Sequence, residues 1–164
     1  MKGVIVMIVH WYQFAMNYSL YWRLRAKYQN GGGNFLTLMY LRRQESKRCS
    51  TTGLGSKGNC TFIASPLVLP HGMNCIVFGR NVRIGSNVTV MQGVTIAEGD
   101  KNKTTIVEDD VLLGAGCVIM GNSHIGKGAK IGANAVVLRD VPAYATAVGV
   151  PARIINHSEN YNKQ

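Results

Sequence analysis

The chain has 164 residues and a mass of 17.9 kDa, enough for one compact core with an appendage and too little for two enzyme domains. Hydrophobic residues make up 46% and charged residues 16%, which excludes a disordered tail, and nineteen glycines against four prolines point to tight turns and not to collagen. The net charge of +10 is unevenly spread: residues 1–50 hold eight Lys and Arg against one acid and so carry +7.

The first apolar run, residues 4–9, is six residues long, far short of the roughly 20 that span a bilayer. No clear small-residue cleavage site follows it, so the chain reads as cytoplasmic. Trp11, Phe14, Ala15, Tyr18 and Trp22 recur at helical spacing, with Arg23, Arg25 and Lys27 toward the C-terminal end, where positive charge suits the helix dipole. Gly31-Gly32-Gly33 should end this helix, and a second is predicted over 35–48 with four basic residues near its end. Such a segment suits a cap over an open-ended core; its basic and aromatic residues also suit peripheral contact with a membrane surface carrying lipid-linked sugars. No nucleic-acid motif accompanies the charge, so nucleic acid is not expected as a partner. Cys49, Cys60, Cys75 and Cys117 form no C-x-x-C pair, which indicates reduced thiols and neither a disulfide framework nor a metal site.

A six-residue period begins further along. Phe78, Ile84, Val90 and Ile96 are six apart, and Val107, Leu113, Ile119, Ile125, Ile131 and Val137 resume the step. Four residues after each stands a small or short side chain: Val82, Val88 and Val94, then Val111, Cys117, Ser123, Ala129, Ala135 and Val141. Neither the 3.6 period of a helix nor the 2 of a strand gives a strict six. Short strands joined by turns do, three hexads closing one triangular coil whose large residue points inward while the small one fills the corner. Glycine after the large residue, as in Ile84-Gly85 and Leu113-Gly114, fits a corner that needs an unhindered backbone. The interval from Ile96 to Val107 is eleven residues where two hexads would take twelve; the polar stretch 97–105 should leave the coil as a loop.

Leu69-Pro70-His71-Gly72, the hexads, the projecting loop and the closing Asp140-Val141-Pro142 and Gly149-Val150-Pro151-Ala152-Arg153-Ile154-Ile155 resemble the hexapeptide-repeat acyltransferases, and within them the serine acetyltransferase-like branch that includes acetyltransferases of polysaccharide gene clusters. The resemblance covers about residues 61–155. It implies a mainly β fold, a left-handed parallel β-helix over 61–155, with an N-terminal helical cap over 1–60 and a tail over 156–164. It further implies a homotrimer that takes acetyl from acetyl-CoA without a metal.

Acyl transfer to an alcohol needs a base of near-neutral pKa, for which imidazole is suited, and the resemblance assigns that role to His71. It also puts CoA in the groove between neighbouring β-helices, at Gly114, Ala115, Ala133 and Asn134, with Arg139 and Arg153 facing its phosphates. Three departures from serine acetyltransferases stand out: Ser56 where an acid orients the histidine, Pro70 where an aspartate helps hold serine, and a loop, Gly99-Asp100-Lys101-Asn102-Lys103, without their second histidine and its arginine. A sugar hydroxyl of a surface polysaccharide or its precursor is therefore the expected acceptor, with serine, or an inactive scaffold, as alternatives. A zinc hydratase on the same solenoid would need three histidines at metal spacing, which His10, His71, His124 and His157 do not offer.

Overall fold

The computed structural model describes residues 19–47, 50–54, 61–98, 100 and 103–157. Helix α1 is described over 19–29 and α2 over Phe35–Ser46. The strands are short: β1 (Thr51–Thr52), β2 (Phe62–Ile63), β3 (Val77–Phe78), β4 (Val82–Ile84), β5 (Thr89–Val90), β6 (Thr95–Ile96), β7 (Thr105–Val107), β8 (Leu112–Leu113), β9 (Val118–Ile119), β10 (His124–Ile125), β11 (Lys130–Ile131), β12 (Val136–Val137), β13 (Ala145–Val148) and β14 (Arg153–His157). They stack into three sheets, β1-β3-β6-β9-β12, β2-β4-β7-β10 and β5-β8-β11-β13-β14. Every pairing is parallel except β13 with β14. The result is a three-sided β-solenoid of about three turns.

All ten large hexad residues lie inside it at 2% exposure or less, and the small ones fill the corners at 4% or less. Register corrects one reading of the repeat. Phe78 pairs with Ile96 and Ile119 with Val137, eighteen residues apart each time, whereas Ile96 pairs with Ile119, twenty-three apart. The projecting loop is thus five residues added to a single six-residue step, and not two hexads short by one. Its base is tied by Asp100 and Asn122: the Asn122 Nδ2 donates to Asp100 Oδ2 at 3.0 Å and the Asp100 N–H to Asn122 Oδ1 at 2.9 Å.

The glycine after the large residue meets the expected need for an unhindered backbone, and the need comes from stacking. It is not the residue at the left-handed corner. A Cβ on Gly114 would sit 2.6 Å from the Ala133 nitrogen of the next coil, so the side chain is excluded by how closely successive coils stack. The left-handed residue comes two positions later, at Asn81, Asn87, Asp110, Asn122 and Asn134 and at Gly93, Gly116 and Gly128, all types that reach positive φ at low cost.

The open end of the solenoid exposes the first strands, whose unpaired backbone groups would otherwise invite further pairing. Helix α1 satisfies them with two side chains one turn apart. Arg25, 1% exposed, donates from Nη2 to the carbonyls of Thr52 at 2.8 Å and Thr61 at 3.0 Å. Gln29 donates from Nε2 to Ile63 O at 2.9 Å and accepts from Ile63 N at 3.2 Å, standing in for a neighbouring strand. Gly31 and Gly33 at positive φ turn the chain into α2, whose N-cap is Asn34, with the Thr37 N–H donating to its Oδ1 at 3.0 Å. Parallel pairing already begins at Thr51, and the helix expected over 35–48 is described to Ser46. Trp11, Phe14, Ala15 and Tyr18 of the first predicted helix lie outside the described residues.

Tyr21, Tyr28, Leu41 and Met73 form a second buried cluster between the helices and the first coil. Within it the Tyr21 hydroxyl donates to Glu45 Oε1 at 2.8 Å, and Thr52 Oγ1 donates to the same oxygen. Burial first, and the Glu45 charge second, push the Tyr21 phenol well above its ordinary range, so it stays a donor.

Candidate active site

His71 stands on an enlarged corner. Val68 pairs with Thr89 of the next coil, and Asn74 is level with Gln92, since Gly93 N donates to Asn74 O just as Gly116 N donates to Gln92 O, both at 2.9 Å. The chain therefore uses six residues from Val68 to Asn74 where the next coil uses three from Thr89 to Gln92. The three extra residues push His71 outward. It is exposed, and among the described residues no group hydrogen-bonds its ring.

The protrusion is held at both feet. Gly72 N donates to Leu69 O at 3.0 Å, Gly72 takes φ +71°, and Asn74 Nδ2 donates to the His71 carbonyl at 2.7 Å. Leu69 packs against both buried clusters, and Met73, 3% exposed, is part of the second. The Ser50 hydroxyl donates to Met73 O and accepts from Ile76 N at 3.0 Å. The backbone that carries this exposed imidazole is thus held by anchors two residues before and two after it.

Below this corner the same column continues through Gln92, Ala115 and Asn134, linked by Gly116 N to Gln92 O at 2.9 Å and Asn134 N to Ala115 O at 2.8 Å. Four of the residues expected to meet CoA, Gly114, Ala115, Ala133 and Asn134, therefore share the His71 corner, on successive rungs spaced by about 4.8 Å, the usual strand separation. Gly114 is buried, Ala115 half-buried, and Ala133 and Asn134 exposed, so the last two offer their surface while Gly114 serves the stacking. Arg139 and Arg153 lie elsewhere. Both are exposed and line a separate cavity of about 460 Å³ with Leu138, Ala152 and Ile154 at the C-terminal end of the solenoid.

Other titratable groups have structural roles. His124 Nε2 is 2.8 Å from Glu108 Oε1, and its backbone N–H donates to Asp140 Oδ1 at 2.8 Å. Cys117, fully buried, has its thiol pushed up to about 12 by desolvation, which leaves it inert. Among the described residues no group of His, Cys, Asp and Glu could hold a metal ion, and no helix is long and apolar enough to cross a membrane. His10 and Ser56 fall outside the described residues, as do Gly99, Lys101 and Asn102 of the loop. Sequence reasoning passed over Ser50, Met73, Asn74 and Gln92. Only Gln92 carried a signal, its position in the corner phase of the hexads.

Residues 104–139 match the family described as Bacterial transferase hexapeptide (six repeats). Several similar proteins are serine acetyltransferases. A serine acetyltransferase of Bacillus licheniformis is 46% identical over 90 residues, 53% of this chain and 41% of that protein. A serine acetyltransferase solved in complex with CoA superposes with a TM-score of 0.63 at 33% identity, covering 85% of this chain and 54% of that one. The soybean serine acetyltransferase complexed with serine gives 0.63 at 35% identity over 73% and 48%. The fold is thus the left-handed parallel β-helix of these enzymes, and the chain spans about half or less of the length of the relatives it matches.

Proposed function

We propose that the protein is an acetyl-CoA-dependent O-acetyltransferase in which His71 is the general base and L-serine the acceptor. The observation that carries this reading is the shared corner: an outward-facing histidine on an anchored turn, at the head of a column whose rungs include the small Gly114, Ala115 and Ala133, where a pantetheine chain can approach the backbone. Relatives named serine acetyltransferase, one of them holding CoA and another serine, support the same reading.

In the reaction the imidazole takes the proton of the acceptor hydroxyl as its oxygen bonds to the thioester carbon. The tetrahedral oxyanion that forms needs backbone N–H donors. It collapses with cleavage of the C–S bond, and the imidazolium returns its proton to the departing thiolate of CoA. Arg139 and Arg153, gathered at one cavity, offer two cations to the CoA phosphates. A single exposed edge encloses no ligand, and a homotrimer would supply the opposing wall.

The names of the relatives favour serine, the acceptor that the sequence departures ranked below a sugar. Those departures still support a second reading: Pro70 cannot grip an amine, and no histidine occurs in 99–103, so a sugar hydroxyl remains the other candidate. Thiol release from acetyl-CoA in the presence of L-serine, nucleotide sugars or oligosaccharides decides between them. Turnover with serine at a millimolar KM or below supports the first, turnover with a sugar alone the second, and none with any hydroxyl acceptor rejects both.

A further inference from the structure

We propose that α2 is a docking surface for an anionic lipid bilayer. The outward side of this helix carries Phe35, Leu36, Met39, Arg42 and Arg43, whose spacing places them on one stripe. Phe35 is 73% exposed, Leu36 70% and Met39 52%, and both arginines are exposed. The opposite side is spent on the protein: Leu41 and Glu45 are buried, and Leu38 packs against the second cluster. Three large apolar side chains together on a water-facing helix are unusual unless something covers them.

The charge around them indicates what. The stripe runs from an apolar N-terminal half to two arginines, with Lys47 exposed at its C-cap, and the one acid of α2, Glu45, is buried in hydrogen bonds to Tyr21 and Thr52. The segment 1–50 carries +7. A second copy that paired its own α2 stripe with this one would bring arginines and no carboxylates to meet Arg42 and Arg43, whereas an anionic bilayer takes both halves: the apolar side chains enter the acyl boundary, and the guanidinium groups stay among the phosphates. At about 18 Å for twelve residues the helix lies on the surface and does not cross it. The inference does not depend on the acceptor, because none of these side chains belongs to the His71 corner.

Co-sedimentation of the full chain with vesicles tests it. Binding is expected on phosphatidylglycerol/phosphatidylethanolamine vesicles, at least tenfold weaker on phosphatidylcholine, and weakened by salt. Arg42→Glu/Arg43→Glu and, separately, Phe35→Ser/Leu36→Ser should each reduce binding at least tenfold, with the far-ultraviolet circular dichroism and light-scattering mass unchanged. His71→Ala should bind as the parent does, which separates this inference from the catalytic one. It is overturned if the parent ignores anionic vesicles, if neither double variant weakens binding, or if the variants instead lower the light-scattering mass, which would make the stripe an interface between copies.

Discussion

The hydroxyl of Ser50 holds the carbonyl of Met73, two residues beyond His71, and accepts the N–H of Ile76 at 3.0 Å. Ser50 is 2% exposed and Met73 3%, so one buried side chain from the segment before the first coil fixes the trailing foot of the histidine corner.

Ser50→Ala should cost about 1–3 kcal/mol, because it removes the hydroxyl that accepts the Ile76 N–H and donates to the Met73 carbonyl. In activity the same variant should lower kcat more than it raises KM for acetyl-CoA, since the base loses its pose while the donor rungs at Ala115 and Asn134 are untouched. Thermal unfolding and steady-state kinetics check the two halves separately.

Gln29→Ala removes both hydrogen bonds that close the edge of β2 at Ile63. A loss of about 1–3 kcal/mol is expected, with faster amide exchange at Ile63 than in the parent, because that N–H then has no acceptor. Gln29→Glu keeps an acceptor for that N–H but sets a carboxylate oxygen against the Ile63 carbonyl, so it should slow the exchange relative to Gln29→Ala without restoring the parent's stability.

Gly114→Ala would bring a Cβ to 2.6 Å from the Ala133 nitrogen, which is backbone and cannot rotate away. Overpacking of this kind costs about 1–3 kcal/mol. It would also displace the Ala133 rung, so binding of CoA measured by calorimetry should weaken in a variant that still folds.

Stability should decline at alkaline pH. The native state holds the Cys117 proton to about 12, against an ordinary value of 9.0, so the unfolded chain releases that proton first. The contribution is fully present below pH 9 and is lost as pH rises toward 12, with a slope approaching about 1.4 kcal/mol per pH unit. Tyr21, raised in the same direction, adds to the loss above pH 10. Urea melts between pH 8 and 11 should show the decline, and Cys117→Ala should flatten it. At pH 8 a thiol reagent should label the exposed Cys75 and spare Cys117.

The solenoid was legible because its interior is one residue wide. Phe78, Ile84 and the other large positions each face the axis from one side of a triangle, so burial prints directly onto the sequence with a period of six. What supports the site left no such print. The enlarged corner at His71 becomes visible only from register, through Val68 beside Thr89 and Asn74 level with Gln92, and the roles of Ser50 and Met73 depend on contacts between segments more than twenty residues apart. Arg139 and Arg153 are fourteen residues apart in sequence, and the folding back of β14 on β13 brings them to one cavity. The glycines showed where the backbone had to be unhindered, but close stacking and left-handed φ both select glycine, and a sequence does not separate the two.

The most direct test of the account is thiol release from acetyl-CoA by the intact protein and by His71→Ala, with L-serine as acceptor and CoA affinity measured in parallel. Acceptor-dependent release by the parent is expected, with a fall in kcat of about 10²–10⁴ in the variant, the usual worth of a positioned base, and CoA affinity within about twofold of the parent. A His71→Ala enzyme that turned over at the parent rate would contradict it.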